Sequence, residues 1–177
     1  MNFNLLNIQK INHLSTDEFQ SLFANVIEHC PEAALFVEKN RPFQCVNELK
    51  GVFAQYLENL NQDEKKNILK KHPELKDTME NEELTKDSRN EQRTARFDCM
   101  TKEERQDLRR YNSEYMAKFK FPFVICVKEN KKETILSALK ERVNNSSDTE
   151  LNCGIEEVKK ICFLRIDKIF YDSNSVN

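Results

Sequence analysis

Two glycines and four prolines are all the residues of those types that this chain of 177 carries. Glycine costs a helix interior about 1 kcal/mol and proline about 3 kcal/mol relative to alanine, so a chain poor in both lets helices propagate with few interruptions. Hydrophobic residues make up 38% and charged residues 33%, which supplies a core and covers the outer faces of helices. The expectation is an all-α, single-domain helical bundle over residues 1–177, with about eight helices and a frayed polar tail at 172–177.

Local signals divide the chain into elements. Ser15 and Glu18 stand at capping-box spacing, and Phe19, Leu22, Phe23, Val26 and Ile27 follow at helical intervals, so the spacing predicts a helix to about residue 30. Pro31 opens a short helix over 32–39, which Arg41, Pro42 and Phe43 break. Apolar residues at 46, 49, 52, 53, 56, 57 and 60 predict a helix over 46–60, and a charged helix over 63–71 leads to His72. Pro73 disfavours the α conformation in the residue before it, which puts His72 at a helix end.

Residues 76–83 read as a polar loop, and Thr85 as the cap of a helix reaching residue 97. The inward positions of that helix fall on Ser88, Glu91 and Gln92 rather than on large apolar side chains. Thr101 and Glu104 cap a long helix to about residue 119. The run 121–127, Phe-Pro-Phe-Val-Ile-Cys-Val, is β-branched and aromatic and too short for a buried helix, so an extended segment through the interior is expected. Helices over 131–144 and 148–171 follow. The last carries Leu151, Ile155, Val158, Cys162 and Ile169 on one stripe, with Arg165 in the remaining slot.

Composition excludes several classes of function. Twenty-eight basic residues against 30 acidic ones give a net charge of -2 without a long basic run, so nucleic acid is not an expected partner. The longest apolar runs fall far short of the ~20 residues of a membrane span, and residues 1–12 lack an apolar signal core, so no membrane association is expected. Six irregularly spaced cysteines without a C-x-x-C pair or clustered histidines argue against a metal site and for reduced thiols in a cytoplasmic setting.

No nucleophile elbow, phosphate-binding glycine loop or dinucleotide fingerprint is present. What remains is proton transfer and electrostatic stabilisation, with His72 and Glu91 as the titratable pair. His72 reads either as a surface histidine capping a helix or as an acid–base group. Arg165 reads either as half of a structural ion pair or as an anchor for an anionic ligand. Ser88, Glu91 and Gln92 are either solvated helix residues or a face that holds a polar ring.

Several segments together carry a family resemblance. They are His-Pro-Glu-Leu at 72–75, Leu-Thr-Lys-Asp-Ser-Arg-Asn-Glu-Gln at 84–92, Asn-Ser-Glu-Tyr at 112–115 and Lys-Phe-Lys-Phe-Pro-Phe-Val-Ile at 118–125. Glu-Glu-Val-Lys-Lys-Ile at 156–161, Leu164-Arg165, Cys30-Pro31 and Arg41-Pro42-Phe43 extend the match over nearly the whole chain. In order and spacing they resemble the OHCU decarboxylase family, the 2-oxo-4-hydroxy-4-carboxy-5-ureidoimidazoline decarboxylases that complete the conversion of urate to allantoin.

The resemblance implies an all-α homodimer that uses no cofactor and acts on a small anionic ureidoimidazoline. It implies that His72 is the catalytic acid or base and Glu91 its partner carboxylate, and that Pro73, Ser88, Arg89, Asn90 and Gln92 line the pocket. It further implies that Phe123, Val124, Ile125, Cys126 and Val127 offer main-chain groups to the ring, and that Arg165 meets the substrate's anionic or carbonyl oxygens.

Two departures stand out. Lys120 occupies the family's usual glycine position, and Arg-Thr-Ala-Arg-Phe at 93–97 replaces a run of small residues. If that glycine requires a positive φ, lysine there costs roughly 1 kcal/mol or more. The cytoplasm is the expected location; the family resemblance keeps the peroxisome open, although the ending Ser175-Val176-Asn177 lacks the S-K-L type signal that sends some relatives there. The alternatives are a non-catalytic helical binding module with the same fold, or a relative acting on another ureido compound.

Overall fold

The computed structural model describes residues 7–75, 85, 87–88 and 100–172, the last by its backbone alone. Among them are eight α-helices and one 3-10 turn, and no strand. The all-α expectation holds, and the stretch 121–126, outside every helix, is buried throughout.

The helices are α1 (Ile8–His13), α2 (Thr16–Phe23), α3 (Pro31–Glu38), α4 (Val46–Asn59), α5 (Gln62–Lys71), α6 (Lys102–Phe119), α7 (Lys132–Arg142) and α8 (Ser147–Asp172). Helix starts follow local chemistry. Ser15 and Thr101 each accept from the backbone of the residue three on and are reciprocated by Glu18 and Glu104, so both predicted capping boxes form. Pro31 sits in the first turn of α3, where its missing N–H costs nothing.

The chain divides into two compact units, Met1–Asn61 with Lys159–Asn177, and Gln62–Val158. In the first, α2 packs on α3 and α3 on α4. Phe19 lies against Phe23 with ring centroids 4.7 Å apart, and Phe23 against Phe53 at 5.9 Å. Burying aromatic rings of this size contributes roughly 2–3 kcal/mol each. In the second unit, α6 packs on α7, and Tyr115, Phe119, Phe121 and Phe123 form an aromatic cluster. Helix α8 supplies residues 147–158 to this unit and 159–172 to the other.

One element differs from its sequence pattern. The helix expected to reach residue 30 ends at Phe23, and residues 24–30 form turns in which Val26 and Ile27 are nonetheless buried. The apolar spacing is honoured by burial without helix. The cause lies far along the chain: the Asn25 carbonyl accepts from Arg165 Nη1 at 2.9 Å, and Glu28 pairs with the same nitrogen at 2.7 Å. His29 then takes the left-handed conformation at φ 47°.

Candidate functional site

His72 follows directly on the last turn of α5, and its N–H donates to the Leu69 carbonyl at 3.1 Å. It is 6% exposed, which removes the surface-histidine reading. Pro73 is half-buried. Two residues further on, the Leu75 carbonyl accepts from Asn112 Nδ2 at 2.8 Å. Asn112, 4% exposed, takes a slot in the apolar stripe of α6 between Leu108 and Tyr115. The amide thus fixes the path on which the imidazole is carried.

Ser88 is buried, and its N–H donates to Thr85 Oγ1 at 3.2 Å, the capping contact expected of Thr85. Arg89, Asn90, Glu91 and Gln92 lie outside the described residues, as do the 76–83 loop, the 93–97 departure and the tail beyond 172.

The stretch Phe123, Val124, Ile125, Cys126 and Val127 is buried. Its main chain is gripped at two of these residues. The Val124 carbonyl accepts from Arg142 Nη1 at 3.0 Å, Cys126 N–H donates to Glu157 at 2.8 Å, and the Cys126 carbonyl accepts from Asn130 Nδ2 at 2.9 Å. No hydrogen bond is made among the described residues to the main chain of Phe123 or Ile125. Buried main-chain polar groups are nearly always paired, so groups left open in this way suit a ligand.

The grip is held by buried charge. Glu150, fully buried, accepts from Arg142 Nε and Nη2 at 2.9 and 2.6 Å, from Asn145 at 2.8 Å and from the Tyr115 hydroxyl. Burial, reinforced by the hydrogen bond to Glu150 and its charge, holds the Tyr115 phenol proton far above its usual range. Tyr115 therefore remains a donor. Desolvation opposes the Arg142 charge, yet the hydrogen bonds and charge of Glu150 outweigh it and raise its pKa. The guanidinium also lies over the Phe123 ring, 4.5 Å from its centroid.

Arg165 belongs to the other unit. It is 3% exposed and pairs with Glu28, itself 1% exposed. A carboxylate partner is what a buried arginine demands. Burial raises the neighbouring Cys162 thiol well above its ordinary range, so it remains a protonated, inert group. No group of three or more His, Cys, Asp or Glu side chains is placed to hold a metal ion among the described residues. No described helix is long and apolar enough to cross a membrane.

Asn112 had a legible signal, a polar residue in an apolar stripe, as Arg165 had. Arg142, Glu150 and Glu157 had none, because each stands among polar or charged neighbours as a solvated residue would, and Glu28, between Val26-Ile27 and His29-Cys30, has no spacing that singles it out.

Together, fold and site define an all-α protein whose second unit carries a buried histidine at a helix end and a buried non-helical segment with main-chain groups left open. The OHCU decarboxylase family model matches residues 12–167, and the chain belongs to that family. It is 39% identical over 167 residues to the 2-oxo-4-hydroxy-4-carboxy-5-ureidoimidazoline decarboxylase of Xenopus laevis, covering 93% of this chain and 95% of that one. The protein of that name from Amia calva is 37% identical, with coverage of 93% and 94%. Among solved structures, an OHCU decarboxylase crystallised in the presence of (S)-allantoin superposes with a TM-score of 0.67 at 27% identity, covering 88% of this chain and 99% of that one. A crystal structure of (S)-allantoin synthase gives 0.76 at 20% identity over 93% of this chain and 54% of that one, a likeness of fold.

Proposed function

We propose that this chain is a cofactor-independent carboxy-lyase that converts 2-oxo-4-hydroxy-4-carboxy-5-ureidoimidazoline to (S)-allantoin, the last step from urate to allantoin. One observation carries the proposal: the family match runs from residue 12 to residue 167 and takes in His72, buried at its helix end. The same span crosses both compact units, which supports treating the chain as one functional domain.

The chemistry asks for little else. Loss of CO2 from the ring carbon leaves an electron pair that delocalises into the neighbouring imine and carbonyl, and donors fixed at those atoms lower the barrier. In this proposal His72, tuned by Glu91, handles the hydroxyl proton or reprotonates the ring on one face. The open main-chain groups of Phe123 and Ile125 hold the flat ring. Pro73, Ser88, Arg89, Asn90 and Gln92 line the pocket, and Arg165, beside its pairing to Glu28, meets anionic or carbonyl oxygens of the substrate. A homodimer belongs to the same proposal, supported by the family resemblance, and sedimentation of the purified chain checks the assembly; a cytoplasmic location belongs to it too, supported by the irregular cysteine spacing.

The competing binding-module reading drew on Lys120. Lys120 adopts φ 63° and ψ 23°, the left-handed conformation a glycine would take there, and its N–H still closes on the Met116 carbonyl. The departure is thus accommodated with its backbone geometry kept. A coupled assay from urate, with urate oxidase and the preceding hydrolase, separates the two readings. The decarboxylase gives (S)-allantoin by circular dichroism, faster than the spontaneous rate. Racemic product at the spontaneous rate leaves the binding module.

A further inference from the structure

We propose that Arg142 is a positioning residue for the ring-binding segment, acting with Glu150 and Tyr115, and that it sets substrate affinity without taking part in proton transfer. The inference rests on the decarboxylase reading and goes beyond it to residues outside the pocket.

A buried charged pair is a poor way to gain stability, since desolving two charges offsets most of their attraction. Arg142 and Glu150 are such a pair, 13% and 0% exposed as side chains. Their geometry is specific in a way stability alone does not require. Two nitrogens of the guanidinium are spent on one carboxylate oxygen, and the third, Nη1, reaches the Val124 carbonyl at 3.0 Å. Glu150 is itself held by Asn145 and Tyr115, so the fork cannot swing.

Arg142 fixes the Val124 carbonyl, and its guanidinium over the Phe123 ring restrains the preceding residue. Glu157 on Cys126 N–H holds the chain two residues further on. Ile125 is thus bracketed by held neighbours, and no described residue takes up its main-chain groups or those of Phe123.

The test is Arg142→Lys, which keeps the charge but cannot span Glu150 and Val124 together. Folding is checked by thermal melt, turnover by the coupled assay and product affinity by calorimetry with (S)-allantoin. Misplaced ring contacts are expected to raise KM and the allantoin Kd by roughly tenfold to a hundredfold, while the pH midpoint of kcat stays at the wild-type value because His72 is untouched. A merely structural role would lower the melting temperature and leave KM and Kd alone, and that result in the folded variant overturns the proposal. Should Arg142→Lys not fold, Tyr115→Phe removes one hydrogen bond and no charge, and carries the same test with the same two outcomes. A wild-type chain without turnover would instead defeat the decarboxylase reading, whatever the variants do.

Discussion

At the level of single residues, Glu28 and Lys120 show opposite relations between sequence and structure. Arg165 advertised itself as a charge in an apolar stripe, but its partner stands 137 positions away and has no spacing that marks it. Removing one side of a buried pair strands the other charge. Glu28→Ala is therefore expected to cost about 3–5 kcal/mol by chemical denaturation. A loss within 1 kcal/mol would mean that solvent reaches Arg165. Lys120 shows the reverse: its family position alone raised the question of a positive φ, and the backbone adopts φ 63°. Lys120→Gly is expected to raise stability by up to about 1 kcal/mol, measured as an upward shift in the melting temperature.

Among the elements, those with a repeating apolar stripe or a capping pair were legible to within a residue or two, as α4 and α6 show. Helix α1 was not, since six residues with one buried side chain, Ile11, carry no stripe to read. The end of α2 was not, because a contact from the far end of the chain decides it. In the candidate site, His72 at a helix end and the buried 121–126 stretch were legible from proline placement and β-branched content; the grip on the stretch was not, since Arg142 and Glu150 find each other only in the folded chain.

Two predictions belong to this scale. A Cβ on Gly154 of α8 would stand 2.8 and 2.9 Å from the methyls of Leu69 on α5, and Leu69 is fully buried with little room to yield. Gly154→Ala is expected to cost about 1–3 kcal/mol by overpacking and to disturb His72, whose N–H hangs on the Leu69 carbonyl. Gly51 of α4, with open space around it, should instead gain about 0.5–1 kcal/mol as Ala. Calorimetric melts of both variants check the contrast.

The second concerns Glu104, whose pKa is lowered by the hydrogen bond from Lys132 and then by the Thr101 N–H. A carboxylate with a lowered folded pKa stabilises fully above its unfolded value of about 4.3 and loses that contribution as pH falls through the folded value. Glu104→Gln should therefore flatten the acid side of the stability profile and leave the neutral to alkaline side parallel to wild type. A profile of unchanged steepness below pH ~4 would show that this pairing does not report on folding.

On the scale of the whole molecule, one helix organises the candidate site. From α6, Asn112 fixes the chain leaving His72 through the Leu75 carbonyl, and three positions on, Tyr115 supports the Glu150 and Arg142 pair that sets Val124. A titratable ring and open hydrogen-bonding groups are thus referred to one rigid element, the arrangement that preorganised catalysis requires. The most direct measurement is the optical purity of allantoin formed by His72→Ala beside wild type in the coupled assay from urate. The expected result is (S)-allantoin from wild type, and racemic allantoin at the spontaneous rate from a variant that melts as wild type does. Enantiopure product at most of the wild-type rate from His72→Ala would contradict the account.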